Sequence, residues 1–179
     1  WIFQIPATVS AVPSLLLVIG GFAVLFFAAG LFLARKFGDR LAAAMKASPA
    51  LAALGDPRAQ IPAVSALLPF VLLIMMTGRL ALANPSPVFG LALLLVVLVL
   101  GLALLFEIDW LPACALVGVA GLEYVWQQRH FTFDQAIVPL GWYFVFLAIF
   151  AVYPFVFRRR LATRTGPWAV AALAGVVQF

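Results

Sequence analysis

Long apolar stretches, each broken by a short polar cluster, follow one another along the whole chain. Runs this poor in charge predict membrane-spanning helices at 11–34, 61–78, 88–106, 111–126, 136–157 and 168–179. The third reads VFGLALLLVVLVLGLALLF. At ~1.5 Å per residue it reaches ~28 Å, close to the ~30 Å of a hydrocarbon core. Pro69 is expected to kink the second helix, and Leu111-Pro112 to start a short fourth one. In lipid every backbone group must find its partner inside the protein, which leaves helices or a closed barrel. A barrel needs alternating polar and apolar positions, and these runs do not alternate. The fold class expected is therefore all-α: a polytopic transmembrane bundle of about six spans.

The polar segments between the runs differ in character. Residues 35–60 form the one long connection, and Asp39 is placed to cap a short helix reaching Ser48 before Pro49. Leu41, Met45 and Ser48 would share a face of that helix, which suits a segment lying flat on the membrane surface; a solvated connector is the alternative. GDPR at 55–58 and Asn84-Pro85-Ser86-Pro87 read as turns.

Composition agrees with a lipid solvent. Apolar residues make up 66% of the chain and charged residues 9%, with a mean hydropathy of +1.18. Soluble domains run nearer about 45–50% and about 25%. The chain opens on Trp1 and closes on Phe179 inside an apolar run, as expected of a piece of a longer protein whose other helices would be its partners. No Lys or Arg precedes the first run, and Arg35 and Lys36 follow it. It reads as a retained helix with its N-terminus outside rather than as a signal peptide.

The net charge of +5 sets orientation here and does not imply nucleic acid. With six spans, Arg35, Lys36, Arg40, Lys46, Arg58, Arg158, Arg159, Arg160 and Arg164 fall on one side, and Arg79 and Arg129 on the other. A split of nine to two marks the richer side as cytoplasmic. Arg35, Lys36, Arg158, Arg159, Arg160 and Arg164 are the expected anchors to anionic phospholipid headgroups.

Candidate chemistry is sparse. A single His and a single Cys on separate segments do not make a metal site. The chain has neither a phosphate loop nor a dinucleotide fingerprint, so no cofactor is expected. Cys114, Gly118 and Gly121 share one side of the fourth helix, a small face suited to close packing. Glu107 and Asp109 could bind a cation or carry protons, but they sit in a turn where water reaches them.

The stretch GLEYVWQQRHFTFDQ, 121–135, is the richest in polar groups. One reading is interfacial. Glu123 reaches the headgroups, Tyr124 and Trp126 form an aromatic belt, residues 127–130 are the watery tip, and Asp134 caps the next helix. The other is a site for lipid or substrate, with Arg129 holding a lipid-linked phosphate and Glu123 or His130 as acid or base.

At 84–102, NPSPVFGLALLLVVLVLGL, and at 158–179, RRRLATRTGPWAVAALAGVVQF, the chain resembles a family of large bacterial multi-pass membrane proteins known as a domain of unknown function. The resemblance implies a bacterial inner membrane and a longer parent protein; it implies no activity and no catalytic residue. The expected function is that of a non-enzymatic integral membrane protein, an envelope scaffold or transport-related. The alternative is the membrane domain of an enzyme acting on lipid-linked substrate, such as a glycosyltransferase.

Overall fold

The computed structural model describes residues 11–46, 57–79, 84–131 and 136–178. They fold into α1 (Ala11–Lys46), α2 (Pro57–Thr77), α3 (Ser86–Phe106), α4 (Leu111–His130), α5 (Ile137–Val156), the single turn α6 (Arg158–Leu161) and α7 (Thr165–Gln178). No strand occurs among the described residues, and the all-α expectation holds.

Among the described residues, three segments are long and apolar enough to cross a membrane: Leu17–Phe37, Ser86–Phe106 and Ile137–Val156. Six were expected. In α2 and α7 the apolar stretches are shorter, Val64–Thr77 and Thr165–Val177. The second half of α4 is crowded by Glu123, Gln127, Gln128, Arg129 and His130.

Helix ends also depart from expectation. α1 continues without a break to Lys46, so Asp39 lies inside a helix rather than at the start of one. Residues 39–46 are rich in Ala, Leu, Met, Arg and Lys, all strong helix formers, and no proline intervenes before Pro49. At 36 residues α1 is about 54 Å long, well beyond a hydrocarbon core. α2 begins at Pro57, where the missing N–H is an orphan in any case, and runs on through Pro69. α3 starts at Ser86, two residues ahead of the expected 88. The Ser86 N–H donates to Asn84 Oδ1 at 2.9 Å, and Pro87 takes an early helical position. α4 extends one turn past Trp126, to His130.

Side-chain contacts fix the directions of the helices. Phe70 meets Gly118, Ile74 meets Gly121, and Val125 lies beside Gly78, so α2 and α4 run parallel. Phe89 packs on Trp126, which makes α3 antiparallel to α4. Phe89 also touches Phe146, and the Tyr153 hydroxyl donates to the Leu100 carbonyl at 3.4 Å, so α3 and α5 are parallel. Phe155 meets Trp168 and Leu147 approaches Gly175, so α7 returns along α5.

α3 sits among α1, α2, α4 and α5, and buries Phe89, Ala92, Leu95, Val96, Val99 and Leu102. The outer faces stay apolar: Leu17, Phe22, Met75, Val117, Ile137, Phe155 and Val176 are all exposed. A bundle that is apolar both within and without matches lipid rather than water as its surroundings.

The close approach of α2 and α4 depends on the glycines expected on the small face. A Cβ at Gly118 would stand 3.1 Å from Phe70 Cδ1 and 3.2 Å from its Cγ, and Phe70 is itself buried. A Cβ at Gly21 meets nothing within 4 Å. Gly118→Val should therefore destabilise the bundle by about 1–3 kcal/mol through overpacking. Gly21→Val, which makes the same change in helix propensity, should stay close to the native protein. Thermal unfolding in mild detergent compares the two, and equal behaviour would contradict the packing described.

Candidate functional site

The polar residues of the bundle gather at its two ends. At one end lie the α3–α4 turn and the α6–α7 turn. At the other, α2 and α4 finish and α3 and α5 begin.

α4 is buried along Leu111, Ala115, Leu116, Val119, Leu122, Glu123 and Trp126, a stripe with helical spacing. Glu123 falls within that stripe and is 5% exposed. It was expected to reach out toward headgroups; the stripe instead turns its side chain into the bundle, and α4 continues a further two turns beyond it. Its Oε1 has no hydrogen-bond partner among the described residues, and the same holds for Trp126 Nε1 and the Tyr143 hydroxyl.

An aromatic cluster forms around Trp126, which shares the buried stripe with Glu123. Phe89 packs against Trp126, Trp142, Tyr143 and Phe146, with centroids 5.8–6.3 Å apart. His130 stacks on Trp126 at 4.6 Å. Trp142 Nε1 donates to Ser86 Oγ at 3.2 Å, tying α5 to the first turn of α3. Trp126 is thus a core residue and not part of an aromatic belt; Tyr124, on the opposite face, is the exposed one. Asp134, the expected cap, lies outside the described residues.

Arg129 points elsewhere. With Tyr124, Val125 and Gln128 it lines a groove of 380 Å³ whose other wall is Ile74, Met75, Gly78 and Arg79. Two arginines therefore line one open groove at this end, a residue set suited to a phosphate or carboxylate. The three residues named from the sequence are split: Arg129 joins Arg79, while Glu123 and His130 join the aromatic cluster. Arg79 carries no signal in the sequence beyond its charge on the sparser side; its place beside Arg129 follows from α2 and α4 being parallel. The buried side of Glu123 was readable from the stripe at 115, 116, 119, 122 and 126. The role of Tyr143 was not, since it depends on how α5 packs.

At the opposite end, Glu107 takes a left-handed conformation (φ 58°) that closes α3. For a residue with a side chain this costs about 1 kcal/mol or more. Arg164 offsets the cost. Its Nη1 donates to the Glu107 carbonyl and to Asp109 Oδ1 (3.0 Å), and its Nη2 donates to Glu107 Oε2. Gly166 completes the joint, for a Cβ there would stand 2.5 Å from the Asp109 carbonyl oxygen.

Arg164 therefore has protein partners, whereas Arg158, Arg159 and Arg160 project from α6 into the surroundings. The Lys36 ammonium lies over Phe32 and Phe37, at 5.3 and 5.6 Å. Arg35 is exposed beside it. Among the described residues no three of His, Cys, Asp and Glu come together as metal ligands.

Comparison with family models, with curated proteins and with solved structures returns no match to this chain.

A buried acceptor without a donor costs about 1–3 kcal/mol. Glu123→Leu removes it within an apolar and aromatic wall, so this variant should unfold at the native temperature or above. A drop corresponding to more than about 1 kcal/mol would mean that the carboxylate does have a partner.

Proposed function

We propose that this chain is a non-enzymatic, membrane-embedded bundle of a bacterial inner-membrane protein, an envelope scaffold or transport-related. In this reading it crosses six times, with α4 shielded from lipid by its neighbours and its N-terminal end outside. It is part of a longer protein of the family it resembles.

The observation that carries the reading is the separation on α4. Glu123 and His130 face the aromatic cluster, whereas Arg129 faces the groove with Arg79. An acid or base must come within about 2.6–3.2 Å of the proton it moves, directly or through one water. A phosphate held by Arg129 lies on a different face of the helix from both candidates. The topology is supported by the ends of the bundle: Arg164 joins the 107–110 turn to the segment after α5, and Arg79 and Arg129 meet at the opposite end. That is the grouping the nine-to-two charge split requires.

A second reading is favoured by the two-arginine groove itself. As the membrane domain of an enzyme acting on lipid-linked substrate, the bundle would hold the phosphate and another part of the protein would supply the acid and base.

Labelling in intact cells tests the topology. In a Cys114→Ala background, a cysteine at Gln128 should react with an impermeant reagent and one at Met45 should not; the reverse pattern overturns it. Substitution tests the function. Arg129→Gln and His130→Ala in the full-length protein should leave growth and envelope integrity of a complemented deletion strain intact. A loss of about a hundredfold at normal protein level, the scale of a missing acid or base, would favour the enzyme.

A further inference from the structure

A groove of 510 Å³ runs between α3 and α5 on the outside of the bundle. Its walls are apolar, with Val97, Gly101 and Leu104 on one side and Ile149, Val152 and Val156 on the other. It spans Ala148 to Phe157 along α5, about 13 Å at ~1.5 Å per residue. One leaflet of a bilayer contributes half of a ~30 Å hydrocarbon core, so the groove is about one leaflet deep.

It ends in charge. Val156 and Phe157 belong both to this groove and to the recess formed with Arg158, Arg159 and Arg160. These three arginines are exposed and have no ion-pair partner among the described residues, unlike Arg164 a few positions on. An apolar channel one leaflet deep, opening onto three uncommitted guanidinium groups, has the polarity profile of a phospholipid turned inside out.

We propose that this groove is a binding site for one anionic phospholipid: an acyl chain lies along α3 and α5 over Gly101, and the headgroup phosphate is held by Arg158, Arg159 and Arg160. This goes further than anchoring by surface charge, because the lipid is held at both ends. It rests on the reading of α3 and α5 as membrane spans. Gly101 matters because a Cβ there meets nothing within 4 Å, which leaves the floor of the groove open.

The test uses the full chain in nanodiscs of phosphatidylcholine with a minor share of phosphatidylglycerol. The protein is then extracted into mild detergent, and the lipids retained are counted by native mass spectrometry. The native chain should hold one phosphatidylglycerol in preference to phosphatidylcholine. Changing Arg158, Arg159 and Arg160 together to Gln should weaken that preference by about a hundredfold, from the loss of three headgroup charges. Gly101→Phe fills the groove, keeps every charge and should lower retention by at least about tenfold. Its melting curve should match the native one, since the added ring has open space.

If Gly101→Phe retains lipid as the native chain does, the arginines act as a diffuse surface and the proposal falls. If the Gln variant keeps its preference, the headgroup assignment falls; if no lipid is retained at all, another helix or nothing occupies the groove. A chain that does not enter nanodiscs overturns the membrane reading together with the site, whereas one that enters and retains no lipid overturns the site alone.

Discussion

A peptide group in hydrocarbon has no water to bond to, and the whole architecture follows from that. Each apolar run must close its own backbone hydrogen bonds, so each becomes a helix. The helices cannot then be driven together by the exclusion of water, since lipid tails are as apolar as leucine side chains. What remains is shape and a few polar contacts. Shape explains why Gly118 and Gly121 stand where α2 and α4 meet. Polar contact explains the ties at the ends of the bundle, Trp142 to Ser86 at one and Arg164 to Glu107 and Asp109 at the other. The middle of the bundle relies on aliphatic side chains such as Leu95, Val96 and Val99, and rings take over near the Ser86 end, where Phe89 touches two tryptophans, a tyrosine and a phenylalanine.

Much of this was legible in the sequence because polarity reports where water is. The all-helical class, the starts of α3 and α4 and the small face of α4 could all be read from residue types alone. Polarity does not report where a helix stops. Arg35 and Lys36 mark the edge of an apolar run, yet α1 continues to Lys46, because charged residues are good helix formers outside lipid. The same confusion ended α4 at Trp126 rather than His130. A helix ending at Trp126 would put Glu123 and Trp126 close to water; the further turn to His130 leaves them in a buried stripe.

The candidate site divides along the same line. That Arg79 and Arg129 fall at the same end of the bundle was expected from the charge split; that they line one groove was not, since this needs the pairing of α2 with α4. Tyr143 and Ser86 carry no local signal of any role. They matter because α5 happens to lie against the first turns of α3, a fact of packing that no single segment contains.

The left-handed residue at Glu107 has a bearing on how the chain is made. The turn after α3 is short, so α3 and α4 can close against each other as soon as both have left the ribosome. The guanidinium that grips this turn lies at position 164, 57 residues after Glu107 in the chain. It can reach Glu107 and Asp109 only after α5 has been built and laid down in the right direction. A chain with one helix missing or reversed would carry Arg164 to the wrong end and leave the strained turn ungripped. The joint thus works as a record of assembly: it closes only when the preceding helices have been threaded correctly.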